Sequence, residues 1–115
     1  MIFGIGVDIV KVERFTKTNP RFMQRVFSDY EREYINRKGN KPETMAGLFA
    51  AKEAVVKAMG TGFRNFWPNA IEILHDENGK PFVQLEDMMV HVSISRNETD
   101  AVAFVVITQN PADSM

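Results

Sequence analysis

A long helix is predicted by the stretch Phe49-Ala50-Ala51-Lys52-Glu53-Ala54-Val55-Val56-Lys57-Ala58-Met59-Gly60-Thr61-Gly62, which continues a pattern that begins near Pro42. Large apolar side chains recur along one face with the period of an α-helix, and alanines make most of the remaining surface smooth. A helix without a polar face is usually buried between other elements. We expect this helix to be the centre of the fold and to end at Gly60, which serves as its C-terminal cap.

Three charged residues interrupt this apolar helix, namely Lys52, Glu53 and Lys57. Desolvating an unpaired charge costs several kcal/mol or more, so each charge must be paired, hydrated in a cleft or bound to an ion. One interpretation is a surface pair of Glu53 and Lys57, worth about 0.3–0.5 kcal/mol at this i,i+4 spacing, with Lys52 extending out of the apolar stripe. The other is a functional site, because the alanines would let a ligand or another chain approach Glu53.

Composition indicates one globular domain over residues 1–115, with a frayed tail at 110–115. Hydrophobic residues make up 44% and charged residues 25% of the chain, and the net charge of −1 gives no overall field that would favour nucleic acid. The absence of cysteine excludes disulfides, thiolate metal sites and cysteine nucleophiles. No apolar run reaches the ~18 residues typical of a membrane-spanning helix. We therefore expect a cytoplasmic protein with neither a membrane nor a nucleic acid as partner.

The order of the predicted elements is one strand, three helices and four strands. This order is typical of an α+β fold in which a mainly antiparallel sheet packs on the long central helix. Pro20 breaks the first helical segment, and a capping box of Ser28 and Glu31 opens the second helix. The predicted elements are a strand at 1–7, a broken helical segment at 12–27, helices at 29–37 and from 42 onward, and strands at 70–75, 81–85, 88–95 and 101–108.

Two polar residues are predicted to follow strands. Asp8 comes after a strand in which Gly4 and Gly6 leave one face without side chains, so that a helix or a ligand can pack closely. Asp8 is interpreted either as the N-cap of the next helix or as an oxygen ligand for a hard cation such as Mg²⁺. His75 is interpreted as a surface residue rather than a ligand.

A basic stripe is predicted along the first helical segment, where Arg14, Lys17, Arg21 and Arg25 recur at spacings of three, four and four residues. The four share one face only if the helix continues in phase across Pro20. The stripe is interpreted either as a solvated face or as a docking surface for an acidic partner, because a single-signed patch on a slightly acidic protein favours such a partner.

Three motifs in order resemble those of the holo-[acyl-carrier-protein] synthases, the small 4′-phosphopantetheinyl transferases. The motifs are Gly4-Ile5-Gly6-Val7-Asp8-Ile9-Val10 with Glu13-Arg14, then Phe49-Ala50-Ala51-Lys52-Glu53-Ala54 with its continuation to Gly62, and finally His91-Val92-Ser93-Ile94-Ser95. The segment Asn78-Gly79-Lys80-Pro81 is similar to the middle hairpin of that family. The resemblance covers nearly the whole chain and implies the 4′-phosphopantetheinyl transferase fold.

The resemblance implies an enzyme that transfers 4′-phosphopantetheine from coenzyme A to a serine of apo acyl carrier protein, leaving adenosine 3′,5′-bisphosphate. Asp8 and Glu53 match the family's Mg²⁺ ligands. Lys57 matches a lysine close to the pyrophosphate and the incoming serine, so Asp8, Glu53 and Lys57 form the implied catalytic set.

Binding residues are implied in the same way. Coenzyme A is expected to contact a set of cationic and glycine residues, and the carrier protein is expected to dock on the first helix. The family also forms homotrimers with coenzyme A sites between subunits. The coenzyme A set is Lys41, Lys52, Lys57, Gly60, Gly62 and Arg96, and the carrier set is Arg14, Arg21 and Arg25, with Lys17 added from its spacing.

The sequence departs from the family pattern in three places. Arg96 stands where relatives usually have His, and Arg cannot act as a base near neutral pH, so water or a carboxylate must accept the serine proton. Leu48 stands where Arg is common, and Lys41 is expected to compensate for that cation. The chain between Leu85 and Val90 leaves room for a turn in place of a helix. Arg96 and Leu48 keep open a degenerate homologue that binds coenzyme A or carrier protein without catalysis. A metal-dependent phosphohydrolase on a similar scaffold is a third alternative.

Overall fold

The computed structural model describes residues 1–60 and 68–109, so predicted Gly62 and the predicted tail at 110–115 lie outside the described residues. A five-stranded antiparallel sheet with strand order β1-β5-β4-β3-β2 packs against the helices, which confirms the predicted α+β class. The strands are β1 Ile2–Lys11, β2 Leu74–His75, β3 Pro81–Leu85, β4 Met88–Arg96 and β5 Asp100–Gln109. The helices are α1 Pro20–Val26, α2 Asp29–Arg37 and α3 Pro42–Met59, with 3₁₀ turns at Val12–Phe15 and Pro68–Ala70.

Strand β1 lies directly against the backbone of α3. A Cβ placed on Gly4 would lie 1.9 Å from the carbonyl oxygen of Ala58, and one placed on Gly6 would lie 2.0 Å from that of Ala54. Both distances are far below van der Waals contact, so only glycine fits at these two positions. The predicted smooth surfaces of strand and helix therefore meet each other, and β1 and α3 are joined almost main chain to main chain.

Helix α3 is the buried centre of the fold, as its sequence predicts. Most of its residues between Thr44 and Ala58 are buried, and Gly60 ends it in the left-handed conformation with φ of 79°. The helix begins at Pro42, which confirms the predicted start. Proline is favourable at the first position of a helix.

Several boundaries differ from the prediction. Strand β1 continues to Lys11, because it pairs with β5 as far as Asp100, so Asp8 lies inside a strand opposite Ala103 and its interpretation as an N-cap is wrong. The first helical piece is only the 3₁₀ turn Val12–Phe15, and α1 begins after Asn19, whose side chain accepts a hydrogen bond from the Phe22 amide at 2.8 Å. The turn between β3 and β4 is as short as predicted, since Leu85 pairs with Met88.

The predicted capping box forms at the start of α2. The Ser28 hydroxyl accepts from the Glu31 amide at 3.2 Å, and Glu31 Oε1 accepts from the Ser28 amide at 2.9 Å. Glu31 is nevertheless completely buried, and its Oε2 accepts a second hydrogen bond from the Ile73 amide at 2.7 Å. One carboxylate thus caps α2 and ties it to the segment that leads into β2.

Lys52 provides the counter-charge for Glu31. Its Nζ lies 2.6 Å from Glu31 Oε1, and both side chains are 0% exposed. The ammonium also donates to the carbonyl oxygens of Pro68, at 2.8 Å, and Ile71. The prediction that Lys52 contacts coenzyme A is therefore wrong: a side chain enclosed in the core, with three oxygen partners, cannot reach a ligand.

The outer face of the sheet is apolar and exposed. Its register places Val7 beside Phe104 and Ile9 beside Val102, so the outward side chains of β1 and β5 form one continuous patch. Its large side chains are 48–65% exposed: Phe3, Ile5, Val7, Ile9 and Phe104. A contiguous apolar patch of this kind is typical of an interaction surface. In the described part of the chain, no helix is long and apolar enough to cross a membrane.

Candidate active site

Three predicted catalytic residues meet where β1 lies on α3. Asp8 comes from β1, and Glu53 and Lys57 come from adjacent turns of α3. The ammonium of Lys57 donates to Asp8 Oδ1 at 2.8 Å and to the carbonyl oxygen of Val7 at 3.1 Å. The Asp8 side chain is 14% exposed and that of Lys57 is 53% exposed, so the ion pair lies at the protein surface, where β1 packs on α3. This position is open to a ligand.

The charges of these residues act on one another. Burial raises the pKa of Glu53, and the negative charge of Asp8 raises it further, against the opposing effect of Lys57 and Arg14. The hydrogen bond to Asp8 raises the pKa of Lys57. A carboxylate whose pKa is raised by a neighbouring carboxylate marks a place where a cation is stabilising. Lys57 supplies one positive charge there.

The donor set fits a magnesium ion. Within residues 1–60 and 68–109, no cluster of three or more His, Cys, Asp or Glu side chains forms a closed metal cage. Mg²⁺ commonly uses one or two carboxylates together with water and substrate phosphates. Asp8 and Glu53 would supply these carboxylates, and water or the phosphates of a substrate would complete the coordination.

The predicted basic stripe is divided into two parts. Arg14 lies over the ring of Phe49, with its guanidinium carbon 5.2 Å from the ring centroid, and its charge acts on Glu53. Arg21 and Arg25 lie together on α1 and line a concavity of about 400 Å³ with Phe22 and Val26. Arg14 is thus close enough to act on Glu53, whereas Arg21 and Arg25 flank a hollow on α1.

The remaining predicted residues lie around α3. Lys17 is exposed in the segment between the 3₁₀ turn and α1, and Lys41 is exposed immediately before α3. Arg96, at the end of β4, lies over the first half of α3, where its Nη1 would be 3.3 Å from a Cβ on Gly47. Gly60 is exposed at the end of α3.

A second cationic region was not predicted. His75 stacks on Tyr34 with ring centroids 4.0 Å apart, and Arg37 and Lys38 lie within 5.9 Å of the Tyr34 centroid. His75 is half-buried, so it is more enclosed than a fully exposed surface residue, and its Nδ1 has no hydrogen-bond partner among the described residues. Burial, together with the charges of Lys38, Arg37 and Arg96, lowers the pKa of His75.

These residues had a weak signal in the sequence. Tyr34 precedes two consecutive cations at the end of α2, and a cation near an aromatic ring in the last turn of a helix is favourable. Glu31 had no such signal beyond its role in the capping box, because its partner Lys52 is distant in the sequence.

Comparison with known proteins agrees with this architecture. Residues 4–106 match the model of the 4′-phosphopantetheinyl transferase superfamily. The chain belongs to this superfamily. It is 42% identical over 121 residues to the holo-[acyl-carrier-protein] synthase of Clostridium tetani, covering 93% of this chain and 96% of that one. It is 45% identical over 120 residues to the enzyme of the same name from Clostridium botulinum strain Eklund 17B, covering 93% and 98%.

Solved structures of this transferase superfamily share the fold. A holo-(acyl-carrier-protein) synthase from Bacillus anthracis, in complex with CoA (3′,5′-ADP), superposes with a TM-score of 0.86 at 40% identity and covers 96% of this chain and 99% of that one. The synthase of Helicobacter pylori in complex with coenzyme A gives a TM-score of 0.80 at 29% identity, with coverage of 90% and 99%.

Proposed function

We propose that this transferase moves 4′-phosphopantetheine from coenzyme A to a serine of apo acyl carrier protein, giving holo acyl carrier protein and adenosine 3′,5′-bisphosphate. The observation that carries the proposal is the meeting of Asp8, Glu53 and Lys57 at the contact of β1 with α3. Relatives covering nearly the whole chain carry the name of this activity.

In the proposed reaction, the serine oxygen forms a bond to the phosphorus that carries pantetheine, and the bond from that phosphorus to the bridging oxygen of the pyrophosphate breaks. Positioning and charge neutralisation dominate reactions of this kind. Asp8 and Glu53 would hold Mg²⁺, which offsets the charge that develops on the pyrophosphate. Lys57 would donate to a pyrophosphate oxygen. Arg96 cannot accept the serine proton, which passes to water or to a carboxylate.

Coenzyme A is proposed to bind across the α3 surface. Three cations lie along α3: Lys41 directly precedes the helix, Arg96 of β4 lies over its first half, and Lys57 is in its last turn, with Gly60 as the C-terminal cap. A molecule with three phosphates is stabilised by such a series of cations. Predicted Gly62 stays a proposal from resemblance.

The carrier protein is proposed to dock on α1 beside the site. Arg21 and Arg25 flank an apolar hollow, so they fit an acidic surface with an apolar ridge. Arg14, next to Glu53, would contact the acidic residues nearest the reacting serine, and exposed Lys17 would add to the positive field. Arg21→Glu is expected to raise the KM for the carrier several-fold and to leave the KM for coenzyme A unchanged.

A homotrimer is proposed to cover the apolar outer face of β1 and β5. Most oligomers are symmetric assemblies of identical chains, and coenzyme A sites between the subunits belong to the same proposal. Sedimentation velocity measures the assembly, and Phe104→Lys, in the middle of the patch, is expected to give monomers. A cytoplasmic location stays part of this proposal.

Mass spectrometry tests the activity. Apo acyl carrier protein is incubated with this protein, coenzyme A and Mg²⁺, with and without chelator, and a metal-dependent gain of ~340 Da corresponds to one phosphopantetheine in this reaction class. Coenzyme A binding without any mass gain would favour the degenerate homologue, for which Arg96 and Leu48 are the specific observations. Release of phosphopantetheine into solution without a carrier would indicate a phosphohydrolase.

A further inference from the structure

Lys57 pairs with one of the two carboxylates that are proposed to hold the metal. Its ammonium lies 2.8 Å from Asp8 Oδ1 and 3.1 Å from the carbonyl oxygen of Val7, both on β1. The more enclosed partner is Asp8, whose side chain is 14% exposed. The ammonium therefore neutralises the carboxylate from the open side of the site.

A divalent cation at Asp8 requires oxygen lone pairs and negative charge from the same carboxylate. Lys57 already uses Oδ1, and its positive charge also acts on Glu53. Two cations close together on one carboxylate repel each other, and each gains less from that carboxylate than it would alone.

We infer that Lys57 and the divalent cation compete for Asp8, so that Lys57 weakens metal binding in the free protein and leaves Asp8 for a phosphate when metal and substrate bind. This inference rests on the proposed function and concerns the lysine rather than the metal ligands. It has an unusual consequence: removing a residue of the proposed catalytic set tightens metal binding while it impairs transfer.

The size of the effect follows from the exposure of the pair. The Lys57 side chain is about half exposed at 53%, so the pair is close to a surface ion pair. Pairs of that kind change an equilibrium by roughly two- to fivefold. A gain of that size in metal affinity is expected for Lys57→Met, which retains the length and helix propensity of the side chain.

The experiment measures Mn²⁺ binding by electron paramagnetic resonance of the free ion, at pH 7 and ~0.1 M salt, without coenzyme A. The matched control is Lys11→Met, which removes one positive charge from the same strand but from a different pair, Lys11 with Asp100 at 3.5 Å. Lys11 lies three residues after Asp8 on β1, so salt screens much of the influence of its charge on Asp8. Lys57→Met is expected to bind Mn²⁺ two- to fivefold more tightly than wild type, and Lys11→Met to bind as wild type does.

Three results would overturn the inference. They are equal or weaker binding by Lys57→Met, an equal gain in both variants, and no Mn²⁺ binding by either variant or by wild type, since competition requires that Asp8 accept a metal. The mass assay tests the proposed function separately. If wild type shows metal-dependent transfer together with any of these three results, the transferase function is supported and only the proposed competition for Asp8 is refuted.

Discussion

Replacing Glu31 with Gln would leave the ammonium of Lys52 inside the core without its counter-charge. The two side chains have 0% exposure and are 2.6 Å apart, so water cannot enter to replace the carboxylate. Gln is almost the same size as Glu, so the substitution removes the charge and changes the packing little. The remaining partners of the ammonium are the carbonyl oxygens of Pro68 and Ile71.

The expected cost follows from this geometry. Breaking a buried pair by removing one partner typically costs about 3–5 kcal/mol, because it leaves an uncompensated buried charge. Burial already raises the pKa of Glu31 and lowers that of Lys52 against their mutual attraction, which shows that desolvation is the dominant influence on both groups. The free energy of unfolding of a domain of this size is roughly 5–15 kcal/mol in total. Glu31→Gln is therefore expected to remove a large fraction of it.

The double variant Glu31→Gln with Lys52→Met tests the cause. It contains no buried charge, and the Gln amide oxygen can still accept from the Ile73 amide. Replacing a whole buried pair with neutral groups is often close to neutral. We expect the double variant to be at least ~2 kcal/mol more stable than Glu31→Gln alone, as seen for strongly coupled neighbours.

Urea unfolding followed by circular dichroism measures these differences, at one protein concentration because assembly changes the stability observed. The exposed pair of Lys11 and Asp100 supplies the control: Lys11→Met should cost about 0–1 kcal/mol. The Lys52→Met single variant is measured alongside. The argument would be refuted if Glu31→Gln lowered the free energy of unfolding by less than ~1 kcal/mol, or if the loss in the double variant equalled the sum of the losses in the two single variants.

Three further expectations come from other parts of the structure. Gly6→Ala should lower the free energy of unfolding in urea by about 3 kcal/mol or more, because its Cβ would lie 2.0 Å from the Ala54 carbonyl oxygen. The control Gly47→Ala, whose Cβ would have its nearest neighbour at 3.1 Å, should stay within about 1 kcal/mol of wild type. Equal losses in the two variants would contradict this reasoning. Glu53→Gln should lower turnover in the carrier assay at least ~100-fold, the scale of losing a main electrostatic stabiliser, and near-normal activity at saturating Mg²⁺ would remove Glu53 from the metal site. Burial and neighbouring cations lower the pKa of His75 in the folded protein from its ordinary value of 6.5. As the pH drops toward and below 6.5, the unfolded chain therefore binds more protons than the folded one. The free energy of unfolding should accordingly fall as the pH drops from about 7 toward 5. His75→Gln should make that decline shallower, while His91→Gln, on the exposed face of β4, should not; an unchanged slope in His75→Gln would count against this cause.

Features with local signals were predictable from the sequence. Helix α3 has large apolar residues at the helical period, a proline at its start and a glycine at its end, and each of these acts within a few residues. The capping box of α2 is equally local. The meeting of Asp8 with Glu53 and Lys57 was predicted by resemblance to a family, since periodicity alone left both an N-cap and a surface pair open.

Features that depend on distant partners were not predictable. A lysine in an apolar stripe satisfies the same pattern whether it contacts a ligand or a buried carboxylate, so the spacing of Lys52 could not reveal Glu31. Strand β1 runs past its predicted end because β5 supplies backbone partners from the other end of the chain. The basic stripe was predicted on a helix that continues in phase, whereas Arg14 lies in the 3₁₀ turn Val12–Phe15 and Arg21 and Arg25 lie in α1, which begins at Pro20.

The glycine contacts of β1 with α3 also determine how the site moves. Functional sites are usually built on loops that open with little free energy, independently of the core. Here Asp8 and Glu53 belong to two elements whose main chains touch through Gly4 and Gly6. No side chain at these two glycine contacts can rotate to widen the gap, so separating the backbones that carry Asp8 and Glu53 means detaching β1 from the centre of the protein. We therefore expect the amide hydrogens at Asp8 and Glu53 to be among the slowest in the protein to exchange with solvent, and the backbone geometry of the site to persist for as long as the fold does.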